Sequence, residues 1–225
     1  PVVLVLSLLK SGLAVAGGIM TLIPLMASQV LSKPAMLSLG IGILYSARGL
    51  GAALGPLLVK RLFGETSTVL HWSIAASFFL KAGSYLFIAN SENLWTLSFG
   101  VAAATLFGSI IWVFSSALIH LSTPDRYLGR VFSFELAVMT LVMGISNWGV
   151  GFAVDGLGLT FNQVALWMAA LVILPGLFWT GFLTFVQKKL QQGDCVGSIC
   201  PIDPSGFNPL PLVHEGQIEK KVQEK

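Results

Sequence analysis

The chain has 225 residues, 55% of them hydrophobic and 10% charged, with a mean hydropathy of +0.82 and a formal net charge of +3. Soluble domains carry about 25% charged residues, so this composition excludes a soluble enzyme domain and a disordered chain. The small positive balance comes from scattered basic residues, which excludes a nucleic-acid binder and leaves a polytopic membrane protein whose first partner is the lipid bilayer.

A membrane-crossing helix needs about 20 mostly apolar residues. The chain opens directly in such a run, with no basic segment ahead of it, so the run is not a signal peptide. The sequence beginning at Pro1 is expected to be the later part of a longer polypeptide. Six spans follow in chain order, at 3–31, 37–59, 69–90, 94–119, 131–154 and 163–186. The first is long: as a straight helix it would measure about 43 Å against a hydrocarbon core of about 30 Å. Together with Gly17-Gly18 and Pro24, that excess implies a tilt or a break. Interrupted helices at mid-membrane are where transporters hold their substrate; an ordinary kink is the plainer alternative.

Basic residues flank the spans unevenly. Lys60 and Arg61 follow span two, Arg126 and Arg130 follow span four, and Lys188 and Lys189 follow span six, whereas the other side has Lys33 alone. The bias places both ends of the bundle in the cytoplasm. The segment 191–225 carries four prolines and a charged end, and reads as a disordered cytoplasmic tail after the bundle of residues 1–190. Its Cys195 and Cys200 form a C-x4-C pair with no second pair, which reads as two reduced thiols rather than a metal site.

Charge inside a span is costly, about 2.5–3.5 kcal/mol at the bilayer centre. Arg48 lies at mid-depth in span two and Lys81 is central in span three. Both are expected to face a cavity or a protein interior. Polar and small residues recur on single helix faces: Ser73, Ser77, Lys81 and Ser84 in span three; Thr105, Ser109, Trp112 and Ser116 in span four; Tyr45, Arg48, Ala52 and Gly55 in span two; Gly144, Asn147, Gly151 and Asp155 in span five. Helix packing explains the small members; a cavity or coupling role suits the long cations. Arg48, Lys81, Tyr45, Ser77, Ser109, Trp112 and Asn147 are therefore the candidates for a substrate cavity. Glu135, one turn into span five, is expected to pair with Arg126 or Arg130 at the cytoplasmic end rather than carry protons. Lys10, near the end of span one, is expected to snorkel to the surface. Intramembrane catalysis lacks its parts: no nucleophile elbow, no H-E-x-x-H, no cysteine within a span and no nucleotide-binding loop. No cofactor and no metal are expected.

Two stretches carry a resemblance. Ala47-Arg48-Gly49-Leu50-Gly51-Ala52-Ala53-Leu54-Gly55-Pro56, followed by Lys60-Arg61-Leu62-Phe63-Gly64, and Thr123-Pro124-Asp125-Arg126-Tyr127-Leu128-Gly129-Arg130-Val131 resemble segments of the C-terminal half of a major facilitator superfamily transporter. The glycine-rich exit of span five, Gly149 through Gly158, is similar to that family as well. Among its branches the sequence most resembles the enterobactin-exporter or transmembrane secretion effector group. The acidic residue that precedes the family's basic loop pair is Val59 here, so its charge-relay role has no carrier in this loop.

The resemblance implies an all-α membrane fold in which six helices, a 3+3 inverted repeat, form one half of a twelve-helix transporter in the cell inner membrane. It implies ion-gradient efflux of a small organic molecule by alternating access, with the proton as coupling ion and antiport as the mode. The partner bundle would be an N-terminal half of the same polypeptide, without which the chain is not expected to transport. Asp125, Arg126, Arg130 and Glu135 would form a cytoplasmic gate. The alternative is a non-transporting receptor, scaffold or transporter remnant built on the same helices.

Overall fold

A computed structural model of the protein describes residues 2–31, 36–63 and 67–191. Lys33 and the tail bearing Cys195 and Cys200 lie outside the described residues. Within them the chain is helical apart from short connections: α1 (Val2–Val15), a 3-10 segment (Ala16–Leu22), α2 (Ile23–Val30), α3 (Leu37–Phe63), α4 (Ser67–Ala89), α5 (Leu94–Ser122), α6 (Asp125–Asp155) and α7 (Phe161–Gln191). α1, the 3-10 segment and α2 together form one interrupted crossing. With α3 to α7 this makes six helical stretches long and apolar enough to cross a membrane.

The interruption follows from local chemistry. Gly17-Gly18 weakens the helix by roughly 1 kcal/mol per glycine. Pro24, in the first turn of α2, has no N–H to donate, and its ring crowds the carbonyl four residues back. That carbonyl belongs to Met20, and it accepts instead from Ile23 N–H, three residues on, which tightens the ladder into 3-10 geometry.

The other boundaries are equally local. Asn93 caps α5, its side chain accepting from Thr96 N–H at 3.0 Å. Thr160 and Gln163 cap α7 reciprocally, the Gln163 Oε1 accepting from Thr160 N–H at 2.9 Å. The link between α5 and α6 is short. Thr123 is extended, as the residue before a proline prefers to be, and Pro124 fixes the entry to α6. Asp125 then sits in the first turn, where a negative charge suits the helix dipole. Asp125, Arg126 and Arg130 thus lie on helix rather than on the loop the sequence implies.

α5 packs against α3, α4 and α1, while α4 also packs against α7. The interrupted crossing meets α6 and α7 on its other sides, and α2 leans on α3. The core between them holds Ile19, Ile23, Met26, Ile74, Phe78, Tyr85, Val101, Ile111 and Trp179. α3 and α5 cross backbone to backbone: a Cβ at Gly51 or Gly55 would run into the carbonyl oxygens of Ala102 and Leu106. Such small-residue contact is how helices associate when lipid removes the hydrophobic drive between them. α3 and α6 are the least covered helices, with 17% and 11% of their apolar stretches buried against 56% for α4. Their outer faces are what the bundle offers to lipid or to another protein.

Candidate functional site: a buried ion pair beside an interrupted span

Three helices converge on Lys10. Its ammonium forms an ion pair with Glu135 Oε1 of α6, both side chains being 2% exposed. It also donates to Ser116 Oγ of α5 at 2.6 Å, and that hydroxyl in turn donates to the Trp112 carbonyl oxygen at 2.9 Å. The Trp112 ring lies 5.1 Å from the ammonium and the Phe132 ring 5.8 Å, both within cation–π range. Lys10 is therefore well served. Glu135 is not: its Oε2 is buried without a hydrogen-bond partner.

This arrangement corrects two readings of the sequence. Lys10 does not snorkel to the surface, because Glu135 supplies a counter-charge within the bundle. Nor does Glu135 join Arg126 or Arg130. Five residues and nine residues along an α-helix turn a side chain about 140° and 180° away, so both arginines are exposed while Glu135 points inward. Arg126 instead donates through Nη2 to the Tyr127 hydroxyl.

A second polar locus lies about 12 Å further along α5, eight residues at the usual rise. Lys81 of α4 is buried; its ammonium donates to the Ala104 carbonyl at 3.3 Å and lies 5.4 Å from the Tyr85 ring. Gly108 leaves the room for it. Tyr85, one turn on, donates its hydroxyl to the Ala16 carbonyl at 2.7 Å. Ser146 of α6 donates to the Val15 carbonyl, and Gly18 admits that close approach. The carbonyls at the head of the 3-10 segment are thus held by side chains from two other helices. In a membrane interior, backbone groups loosened from a helix need such partners.

The remaining candidates separate. Ser77 is buried on α4. Ser109 and Thr105 donate to carbonyls of their own helix and border Gly55 and Gly51, which is the packing role. Tyr45 and Arg48 are exposed on α3. Asn147 is half-buried on α6, with its Oδ1 unpartnered. An open groove of about 750 Å³ runs along α6 over Leu136, Thr140, Gly144 and Trp148. Among the described residues, no group of three His, Cys, Asp or Glu side chains could hold a metal ion.

Sequence reasoning missed both groupings: Lys10 with Glu135 and Ser116, and Tyr85 and Ser146 on the carbonyls of the interrupted span. The available signal was charge balance: a lone lysine in span one and a lone glutamate in span five, both a little way in from the same face of the bundle. Comparisons with family models, with curated proteins and with solved structures find no match for the chain.

Proposed function

We propose that this bundle is the C-terminal half of a major facilitator superfamily secondary transporter that exports a small organic molecule, driven by protons entering down their gradient. The observation that carries the reading is the interrupted first span. Its 3-10 segment lies at mid-crossing, and a 3-10 stretch inside a helix often marks a hinge.

The helix neighbours lend support to a 3+3 inverted repeat. α3 rests on α5 as α6 rests on the first span, and α4 rests on α5 as α7 rests on the first span. The α4–α7 and α1–α5 contacts then join equivalent members of the two triplets. In this reading α3 and α6 face a second six-helix bundle. Arg48, Tyr45 and Asn147 border the shared cavity, with Lys81 behind them. Asp125, Arg126 and Arg130 form the cytoplasmic gate, and both ends lie in the cytoplasm of an inner-membrane protein.

The test is efflux from cells that express the complete polypeptide, loaded with a panel of fluorescent organic cations and anions. Proton-coupled export predicts faster loss of at least one dye than in cells without the gene, abolished by a protonophore. A static receptor or scaffold would leave every dye's efflux unchanged.

A further inference from the structure

We propose that Glu135 is a proton-binding site of the bundle, with Lys10 as the counter-ion that its protonation releases. The chemistry follows from the unequal satisfaction of the pair. Removing two ions from water costs several kcal/mol each, and mutual attraction offsets this only when the remaining hydrogen-bonding capacity is also met. Lys10 meets it through Ser116 and two aromatic rings. Glu135 holds one oxygen on Lys10 and leaves the other buried and bare. A carboxylate in that state has an open position for a proton.

The step balances simply. A hydronium ion delivers a proton to Oε2, an O–H bond forms there, and water is returned to the aqueous phase. The carboxylate becomes a neutral acid while Lys10 stays an ammonium. Lys10 keeps Ser116 and the Trp112 ring on α5 and the Phe132 ring on α6, and loses the charge of its partner, the strongest of its ties to α6. α6 is the helix least covered by the rest of the bundle, and its main attachments are to α1 and the 3-10 segment. Loss of the pair therefore loosens α6 where it meets the interrupted span.

Among the described residues, no other ionisable group competes at this place. α1 contributes Lys10 alone; the 3-10 segment has no ionisable residue, and neither has α7 from Phe161 to Val186. On α5 the next is His120, exposed one turn beyond Ser116, and on α6 itself Arg126 and Arg130 are exposed on other faces. That protonation drives transport rests on the function proposed above; that Glu135 binds the proton does not.

Infrared difference spectroscopy of the purified protein in lipid bilayers, between neutral and acidic pH, is the test. The wild-type protein should gain a protonated-carboxyl C=O band that exchanges slowly with deuterium, as a buried acid does. Glu135→Gln should lose that band, Glu135→Asp should shift it, and Asp125→Asn should keep it. Should Glu135→Gln fail to accumulate, the Glu135→Asp shift alone decides. A slow-exchanging band unchanged in both Glu135 variants, or no such band in the wild type, overturns the proposal. If the band behaves as expected while no dye is exported, the proton site stands and the transporter reading falls.

Discussion

The Tyr85 hydroxyl on α4 donates to the Ala16 carbonyl oxygen, 2.7 Å away, at the residue where the first crossing changes from α to 3-10 geometry. Tyr85 is fully buried, and on the opposite flank Ser146 of α6 holds the preceding carbonyl, that of Val15. The break is therefore clamped from two sides, and its partners are long-range.

Removing one clamp should soften the crossing without abolishing the fold. Tyr85→Phe keeps the ring and deletes the donor, at about 1 kcal/mol for a hydrogen bond. Ser146→Ala should cost a similar amount. Because both act on one backbone segment, the double variant should depart from additivity. Thermal unfolding of the four proteins in one detergent measures this; strict additivity would mean the two bonds act independently.

The Lys10–Glu135 pair makes a stability prediction separate from its protonation. Lys10→Met or Glu135→Leu alone strands a buried charge, at about 3–5 kcal/mol. The double substitution leaves neither charge and should recover most of that loss. Denaturant or thermal unfolding of the two single variants and the double variant checks it. A double variant less stable than both singles would contradict a pair held mainly by mutual compensation.

At the α3–α5 crossing, Gly51→Val must push the helices apart and should cost about 1–3 kcal/mol, as overpacking does. Gly42 on the same helix has open space around its Cα, so Gly42→Ala should be accommodated and raise stability by up to about 1 kcal/mol, the helix-propensity difference. Unfolding midpoints of the two proteins side by side give the comparison.

Lys81 separates stability from function. Its ammonium is buried on one long hydrogen bond to Ala104 and the Tyr85 ring, so Lys81→Met removes a desolvated charge and should leave the unfolding temperature equal or higher. If Lys81 borders the transport cavity, the same variant should lower export at least about tenfold, the equivalent of ~1.4 kcal/mol on the rate. Lost stability with normal export would make Lys81 a structural residue.

Much of the architecture was legible in the sequence because it depends on short-range signals. Six apolar runs bounded by charge and turn residues gave six crossings, and Gly17-Gly18 with Pro24 marked the crossing that breaks. What was not legible depends on which face of a helix meets which neighbour. The serine and threonine stripes gave no hint that Ser109 would sit under a glycine while Ser116 received a lysine. Glu135 and Arg130 are close in sequence, which suggested a pair, but helical rotation points them apart. Lys10 and Glu135 are remote in sequence, and packing of the first crossing on α6 brings them together.

On the proposed function, the interrupted crossing belongs to a bundle that opens to each side of the membrane in turn. Thr21, exposed on the 3-10 segment, is the position to interrogate. With Cys195 and Cys200 replaced by serine, Thr21→Cys in the complete polypeptide would be treated with a membrane-impermeant thiol reagent, in right-side-out and in inverted vesicles. Alternating access predicts labelling in both preparations, with a proton gradient shifting the ratio between them. Labelling from one side alone, unmoved by the gradient, would contradict the account.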